Sequence, residues 1–239
     1  MKVVSLIQAR LSSSRLPGKV LLPMGDSTVL DQVIRRARRF SEQVVVCTSV
    51  EPDDDPLVAH CLEHGILCVR GPLDDVFGRF RLALEHPEVD DSEFFARITA
   101  DSPLVSAEIA DGIKKRLHSE VDYARADYAS IPLGTGVEFV RTAAFLAIDP
   151  ASLDGPEKEH VTLRFYETPG RYRILEVPAD DEFNAPSLRL TLDYPEDYAL
   201  LTQLFDACGD PSTRDILSLL KQNPDWVAMN ASCGQRTAR

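Results

Sequence analysis

Three cations and a run of small residues stand together early in the chain. Arg10, Arg15 and Lys19 bracket Ser12-Ser13-Ser14, and Gly18 adjoins Lys19. Such a segment suits an anion. Small residues let backbone N–H groups come close, arginine offers a planar fork to phosphate oxygens, and lysine adds a point charge. Pro17-Gly18 makes a turn that aims Lys19 inward. The same residue types also fit a solvated basic loop. The spacing is neither G-x-x-x-x-G-K-[ST] nor G-x-G-x-x-G. Two acids suit a second chemistry. Asp101, in Thr99-Ala100-Asp101-Ser102-Pro103, and Asp193, in Leu192-Asp193-Tyr194-Pro195-Glu196-Asp197, each follow a β-type run. Mg²⁺ takes one or two carboxylates and leaves its other positions to water and phosphate. The alternative for these acids is a turn cap at Asp101 and a helix N-cap at Asp193, with Glu196 and Asp197 as first-turn helix acids.

Alternating strands and helices must position these side chains. The hydrophobic pattern predicts strands over 3–8, 43–48, 66–69 and 94–98, and helices over 29–40, 56–64, 74–85 and 106–117, the last N-capped by Ser106. This alternation predicts an α/β fold: a mostly parallel central sheet with helices on both faces and a ligand at the carboxyl ends of the strands. The second half is less regular. It carries strand patterns at 137–140, 172–177 and 188–192 and helical patterns at 142–148, 158–167, 195–207 and 213–221. Residues 1–228 read as a single domain, with about 125–185 a small lobe over the ligand edge and 229–239 a flexible tail.

Composition narrows the function classes. The chain has 239 residues and a net charge of −12, which argues against non-specific binding to nucleic acid or an anionic membrane. Charge is uneven, with seven basic against two acidic residues between positions 10 and 39. Five cysteines without regular spacing read as reduced thiols of a cytoplasmic protein. No Cys/His cluster shows zinc spacing. No apolar run nears the ~20 residues of a membrane span. The opening Met1–Ile7 reads as a first strand rather than a signal peptide, so a mature protein as written is expected.

The run Ile7-Gln8-Ala9-Arg10-Leu11-Ser12-Ser13-Ser14-Arg15-Leu16-Pro17-Gly18-Lys19-Val20-Leu21 resembles the N-terminal signature of the CMP-sugar synthetases. These include the 3-deoxy-manno-octulosonate and acylneuraminate cytidylyltransferases. Gln8, where the octulosonate enzymes more usually have Pro, is closer to the spore-coat SpsF-type branch. The resemblance implies a Rossmann-like fold of the nucleotide-diphospho-sugar transferase type. It implies that Ala9, Arg10, Ser13, Arg15 and Lys19 wrap the triphosphate of CTP, with Arg10, Lys19 and Asp101 catalytic. It also implies that Asp101 and Asp193 hold Mg²⁺.

Gly71-Pro72-Leu73-Asp74-Asp75-Val76-Phe77-Gly78-Arg79-Phe80 resembles a further family segment. Its implied roles are nucleotide contact for Arg79 and a helix start ordered by Asp75. Gly134-Thr135-Gly136-Val137-Glu138 aligns with a stretch that often reads G-L-D-V-E; Gly136 replaces its Asp, and Glu138 is left to face the acceptor. Glu159-His160-Val161-Thr162 resembles the SpsF-branch E-H-V-T, with His160 toward the acceptor's anionic group. The implied protein is a homodimer that transfers CMP from CTP to a small anionic acceptor and releases pyrophosphate. Arg164, Arg171 and Arg173 lie in the region for holding the acceptor's acid, although surface pairing is the reading their residue types favour. Two alternatives stay open: a nucleotide-sugar glycosyltransferase using Asp53-Asp54-Asp55 as its D-x-D, and a non-catalytic nucleotide-binding protein.

Overall fold

The computed structural model describes residues 1–89 and 91–234. Its frame begins with β1 (Val3–Gln8), an apolar run buried along nearly its whole length. Successive side chains of a strand point to opposite faces, so burial of both sets requires helices above and below. After β1 the chain passes through a basic loop and a hairpin, β2 (Pro23–Met24) with β3 (Ser27–Thr28), into α1 (Val29–Ala37). Thr28 caps α1 through the Asp31 N–H at 3.2 Å, and Asp31 accepts the Thr28 N–H in return at 3.1 Å. The alternation continues through β4 (Gln43–Ser49), α2 (Asp55–Glu63), β5 (Leu67–Gly71), α3 (Val76–Leu84), β6 (Phe94–Thr99) and α4 (Ala107–Lys114). Ser106 caps α4 by accepting the Ile109 N–H at 3.1 Å.

The later strands join the same sheet. They are β7 (Tyr123–Ala126), β8 (Glu138–Arg141) and, after the short helices α5 (Thr142–Leu146), α6 (Gly155–Glu159) and α7 (Leu163–Glu167), β9 (Ile174–Val177). The seven strands run in the order β5-β4-β1-β6-β8-β7-β9. The first four are mutually parallel, β8 is antiparallel to both of its neighbours, and β9 is parallel to β7. The sheet is therefore mostly parallel, with helices around it. The chain leaves β1 toward β4 on one side and returns to β6 on the other. That reversal opens a crevice at the carboxyl ends of β1 and β6.

Two apolar layers cover the sheet. Val3, Ile7, Val46 and Ile98 face Leu30 and Val33 of α1, Leu57 of α2 and Ile109 of α4. Val4, Leu6, Val45 and Phe95 face Phe77 and Phe80 of α3, Phe145 of α5 and Phe165 of α7. A third cluster packs the hairpin against α8 (Pro195–Cys208) and α9 (Thr213–Gln222), which lead into α10 (Pro224–Ala228).

Four expectations change. Residues 125–185 are no separate lobe, because their strands extend the central sheet; only α6 reaches the ligand edge. The helix expected over 158–167 is broken at 160–162, where the Thr162 hydroxyl turns in to Glu138 at 3.1 Å. Residues 188–192 form no strand, only an isolated bridge between Leu133 and Arg189, since no neighbouring strand completes a ladder. The flexible tail expected from 229 does not start there: Asn230 is only 3% exposed and its amide donates to Asp197 and to the Arg189 carbonyl. Of that expected tail, residues 235–239 lie outside the described residues.

Candidate active site

The crevice holds a cavity of about 540 Å³. Its wall comes from five separate parts of the chain: the loop after β1, the start of α3, the turn after β6, the end of α6 and the segment before α8. Gly18 makes the loop's tight return possible. Its φ of +68° lies in the left-handed region, and its N–H donates to the Leu11 carbonyl at 3.0 Å. The return starts a 3₁₀ turn at Lys19 and sends that side chain inward.

Lys19 is the centre of the site. Its ammonium has three N–H groups and three acceptors: Asp101 Oδ2 at 2.9 Å, Asp193 Oδ1 at 3.0 Å and the Leu192 carbonyl at 2.6 Å. Two aspartates 92 positions apart in the sequence thus share one cation. Backbone bonds bring them together. The Ala100 N–H continues the β1 ladder onto Gln8 O at 3.0 Å, and the Leu192 N–H donates to Asp101 O at 2.7 Å. Neither acid takes the capping role weighed for it as an alternative. Tyr194 is the N-cap of α8, and Asp193 points to the cavity instead.

Asp193 carries more positive charge than Lys19 alone. Arg15 donates to its Oδ1 at 2.7 Å and Arg189 to its Oδ2 at 2.9 Å. Arg189 is in turn held by Asp197, at 2.8 and 3.0 Å. Asp197 is fully buried and also accepts the N–H groups of Asp193 and Tyr194. Burial would raise the Asp197 carboxyl, but Arg189, the Asp193 N–H and Asn230 hold it below the usual aspartate range. For Asp101 burial likewise acts upward and is outweighed, first by the Lys19 charge and then by hydrogen bonds from Thr99 and Lys19. Both acids are ionised at neutral pH.

The cavity wall also carries hydrogen-bonding capacity that the protein itself does not use. Arg79 is 1% exposed, yet its Nε and Nη1 have no partner among the described residues, and neither does Arg15 Nη1. Buried guanidinium groups of this kind are costly unless something accepts from them. Burial, with the Arg10 charge adding to it, lowers the Arg79 pKa. Arg10 is exposed at the rim, 3.9 Å from Glu159. An anion rich in oxygen acceptors is the chemistry that such donors suit.

The donor set also fits a divalent cation. Asp101 and Asp193 offer oxygens only, as Mg²⁺ prefers, and the Asp101 side chain is 27% exposed to the cavity. Both Asp193 oxygens are engaged, so such an ion would take its place only as Lys19 moves across to the phosphates.

Of the sequence-predicted residues, Ala9, Arg10, Ser13, Arg15 and Lys19 meet Arg79, Asp101 and Asp193 around this one cavity. Glu138 and His160 do not join them. Glu138, expected to face the acceptor, is buried at 4% exposure, and its oxygens are taken by Arg97, Thr162 and Tyr123. His160 ends α6, where its carbonyl accepts the Leu163 N–H; Glu159 is the residue of that turn that reaches the cavity. Arg164 pairs with Glu157 at 2.7 Å and Arg173 with Glu120 at 3.5 Å.

The acidic run 53–55 divides. Asp55 pairs with Arg70 at 2.8 Å, while Asp54 is buried and accepts the Leu11 N–H at 2.7 Å, anchoring the basic loop. That division leaves no D-x-D pair at the cavity. Sequence reading missed Asp54, Arg189 and Asp197. Each resembles a solvated surface charge until the fold buries it.

Comparison with known proteins identifies the family. The family model described as cytidylyltransferase matches residues 4–228. The spore coat polysaccharide biosynthesis protein SpsF of Bacillus subtilis (strain 168) is 34% identical over 238 residues, covering 93% of this chain and 95% of its own. A cytidylyltransferase structure from Leptospira borgpetersenii superposes with a TM-score of 0.85 at 28% identity, covering 95% of this chain and 97% of that one. A CMP:2-keto-3-deoxy-manno-octonic acid synthetase complexed with CTP shares the fold, with a TM-score of 0.63 at 17% identity over 87% of this chain and 99% of that one. With the match running over nearly its whole length, the chain belongs to the cytidylyltransferase family of nucleotidyltransferases.

Proposed function

We propose that the protein transfers CMP from CTP to a hydroxyl of a small, anionic, sugar-like acceptor and releases pyrophosphate, with Mg²⁺ held by Asp101 and Asp193. One observation carries this reading. Lys19 bridges the two aspartates at 2.9 and 3.0 Å, on the wall of a cavity that Arg15 and Arg79 line with unpartnered donors. Cationic donors on one side and paired carboxylates on the other match a metal–polyphosphate complex. Mg²⁺, when bound, supplies charge neutralisation at the α-phosphate and fixes its orientation.

The chain's own residues do the rest. Arg10, Arg15, Lys19 and Arg79 hold the triphosphate so that the acceptor oxygen approaches the α-phosphorus in line with the departing oxygen. The new P–O bond forms as the bond to the β-phosphate bridge breaks, and the hydroxyl proton passes to solvent. Charge accumulates on the leaving pyrophosphate, where these cations lie. Fixed donors of this kind are worth about 10²–10³ in rate each. Cytosine preference, the acceptor class and a homodimer are carried by the family resemblance, and a cytoplasmic location by the cysteine usage and the strand-like opening of the sequence. The five unpaired cysteines are consistent with a reducing compartment. Among the described residues no helix is long and apolar enough to cross a membrane.

The test is pyrophosphate release from CTP and Mg²⁺ against a panel of acidic sugars, with UTP and ATP in parallel. Release with CTP and one acceptor class supports the reading. Tight CTP binding without turnover on any acceptor moves the protein to a nucleotide-binding role, and faster turnover with UTP or ATP overturns the base assignment. Light scattering checks the dimer.

A further inference from the structure

Away from the cavity, α1 and α2 bring together three side chains that nucleotidyl transfer does not use. Asp31 lies in the first turn of α1. His60 and His64 are four residues apart, one on α2 and one at its C-cap, and so share one side of the helix. Donor atoms of all three lie within 4.8 Å of one another. Asp31 is held ready by its capping role: Oδ2 accepts the Thr28 N–H at 3.1 Å and the Thr28 hydroxyl at 2.7 Å. That leaves Oδ1 for α2, where His60 Nε2 is 2.9 Å away. Burial acts to raise the Asp31 carboxyl, but its bonds to Thr28 and His60 prevail and keep it ionised. The Asp31 and His60 side chains are largely buried, whereas His64 is exposed and stacks on His60 with ring centroids 4.2 Å apart.

We propose that Asp31, His60 and His64 form a second metal site, structural in role and selective for a divalent transition ion such as Zn²⁺. Two imidazoles and a carboxylate suit Zn²⁺, Co²⁺ or Ni²⁺, whereas Mg²⁺ takes oxygen ligands. Tetrahedral zinc with bonds of 2.0–2.1 Å sets its ligands about 3.3 Å apart, so donors spread over up to 4.8 Å draw in by up to about 1.5 Å, while Asp31 and His60, at 2.9 Å, part slightly. His64 supplies that movement. It sits exposed at the end of α2, and its movement gives up the contact of its Nδ1 with the His60 carbonyl, at 2.8 Å, and loosens its stacking on the His60 ring. Water completes the coordination. The ion clips α1 to α2, and α2 follows directly on Asp54, the anchor of the basic loop. The site escapes a search for Cys/His spacing because its third ligand lies 29 residues from His60.

The experiment titrates the full chain with Zn²⁺ by calorimetry, with Mg²⁺ in millimolar excess to fill any all-oxygen site. One equivalent should bind. His64→Gln should weaken binding at least tenfold with an unchanged circular dichroism spectrum, and His60→Gln should do the same. Replacing Cys61 of α2 and Cys68 of β5, the thiols in the apolar layer under α1 and α2, with Ser should leave the affinity unchanged, and Co²⁺ should give the visible bands of a nitrogen–oxygen site without a thiolate band. Absence of saturable binding, a His64→Gln isotherm that superimposes on the wild type, or loss of binding in the cysteine variant overturns the site.

Discussion

Two ion networks meet β6, four residues apart, and of the two it is the Lys19 network that lines the cavity. Lower on the strand, Arg97 donates to Glu138 at 3.1 Å and to Gln8 Oε1 at 3.0 and 3.1 Å, and Glu138 also accepts from Tyr123 and Thr162. That network closes on itself. Just beyond the strand, Asp101 and Asp193 share Lys19, but the neighbouring Arg15 and Arg79 keep buried donors without partners. Residue types and charges are nearly the same in both. What separates a structural network from a binding one is unmet hydrogen-bonding capacity beside a cavity.

Substitutions should split along that line. Glu138→Gln leaves the Arg97 guanidinium without its counter-charge in the interior. It should cost about 3–5 kcal/mol of stability in urea unfolding, while pyrophosphate release per folded molecule falls less than tenfold. A loss of turnover with unchanged stability would return Glu138 to the substrate side. Asp101→Asn should do the opposite: turnover at least a hundredfold lower, about 2.7 kcal/mol in the barrier, and an unfolding midpoint close to wild type. Near-normal turnover in that folded variant would falsify the metal assignment.

Lys19 sharpens the comparison further. As long as it bridges the two aspartates, a divalent ion must displace a saturated ammonium, and nothing accepts that ammonium until a polyphosphate arrives. Metal binding should therefore depend on nucleotide. Lys19→Met should raise the Mn²⁺ affinity of the nucleotide-free protein about tenfold, or 1.4 kcal/mol, and weaken CTP binding, as read by electron paramagnetic resonance and calorimetry. Equal Mn²⁺ affinity in the two proteins refutes the competition.

How much of this was legible in the sequence follows from how local each signal is. β1, β4 and β6 are short, mostly apolar runs, and Ser106 and Asp75 announce the helices they cap. The basic loop and Asp101 sit at strand ends, where an alternating fold must bind its ligand. Asp197 is the first-turn acid of α8 that its pattern announces, but its burial and its pairing with Arg189 depend on Asn230, distant in sequence and joined only in the fold. Leu188–Leu192 looked like a strand because it is apolar, yet apolarity here serves packing against α8. Glu138 carried a family position, but its partners Tyr123 and Thr162 lie on other elements and turn it inward.

Asp54 acts on the site at one remove, and pH separates its two roles. Burial alone would raise its carboxyl; bonds from the Leu11 N–H, from Ser49 and from Thr48 lower it further than burial raises it. A folded-state pKa below the unfolded one means that the unfolded chain binds the proton first as pH falls. The contribution to stability is then complete above pH ~4 and disappears as pH drops through the folded value. Asp54→Asn keeps one acceptor for Leu11 and loses the charge, which should cost about 1–2 kcal/mol at pH 7. That difference from wild type should shrink steadily between pH ~4 and pH ~2. Because Leu11 belongs to the basic loop, the variant should also raise the KM for CTP several-fold with little change in kcat. A stability difference constant down to the acid limit, or a kcat loss without a KM change, would mean that Asp54 acts on something other than the loop.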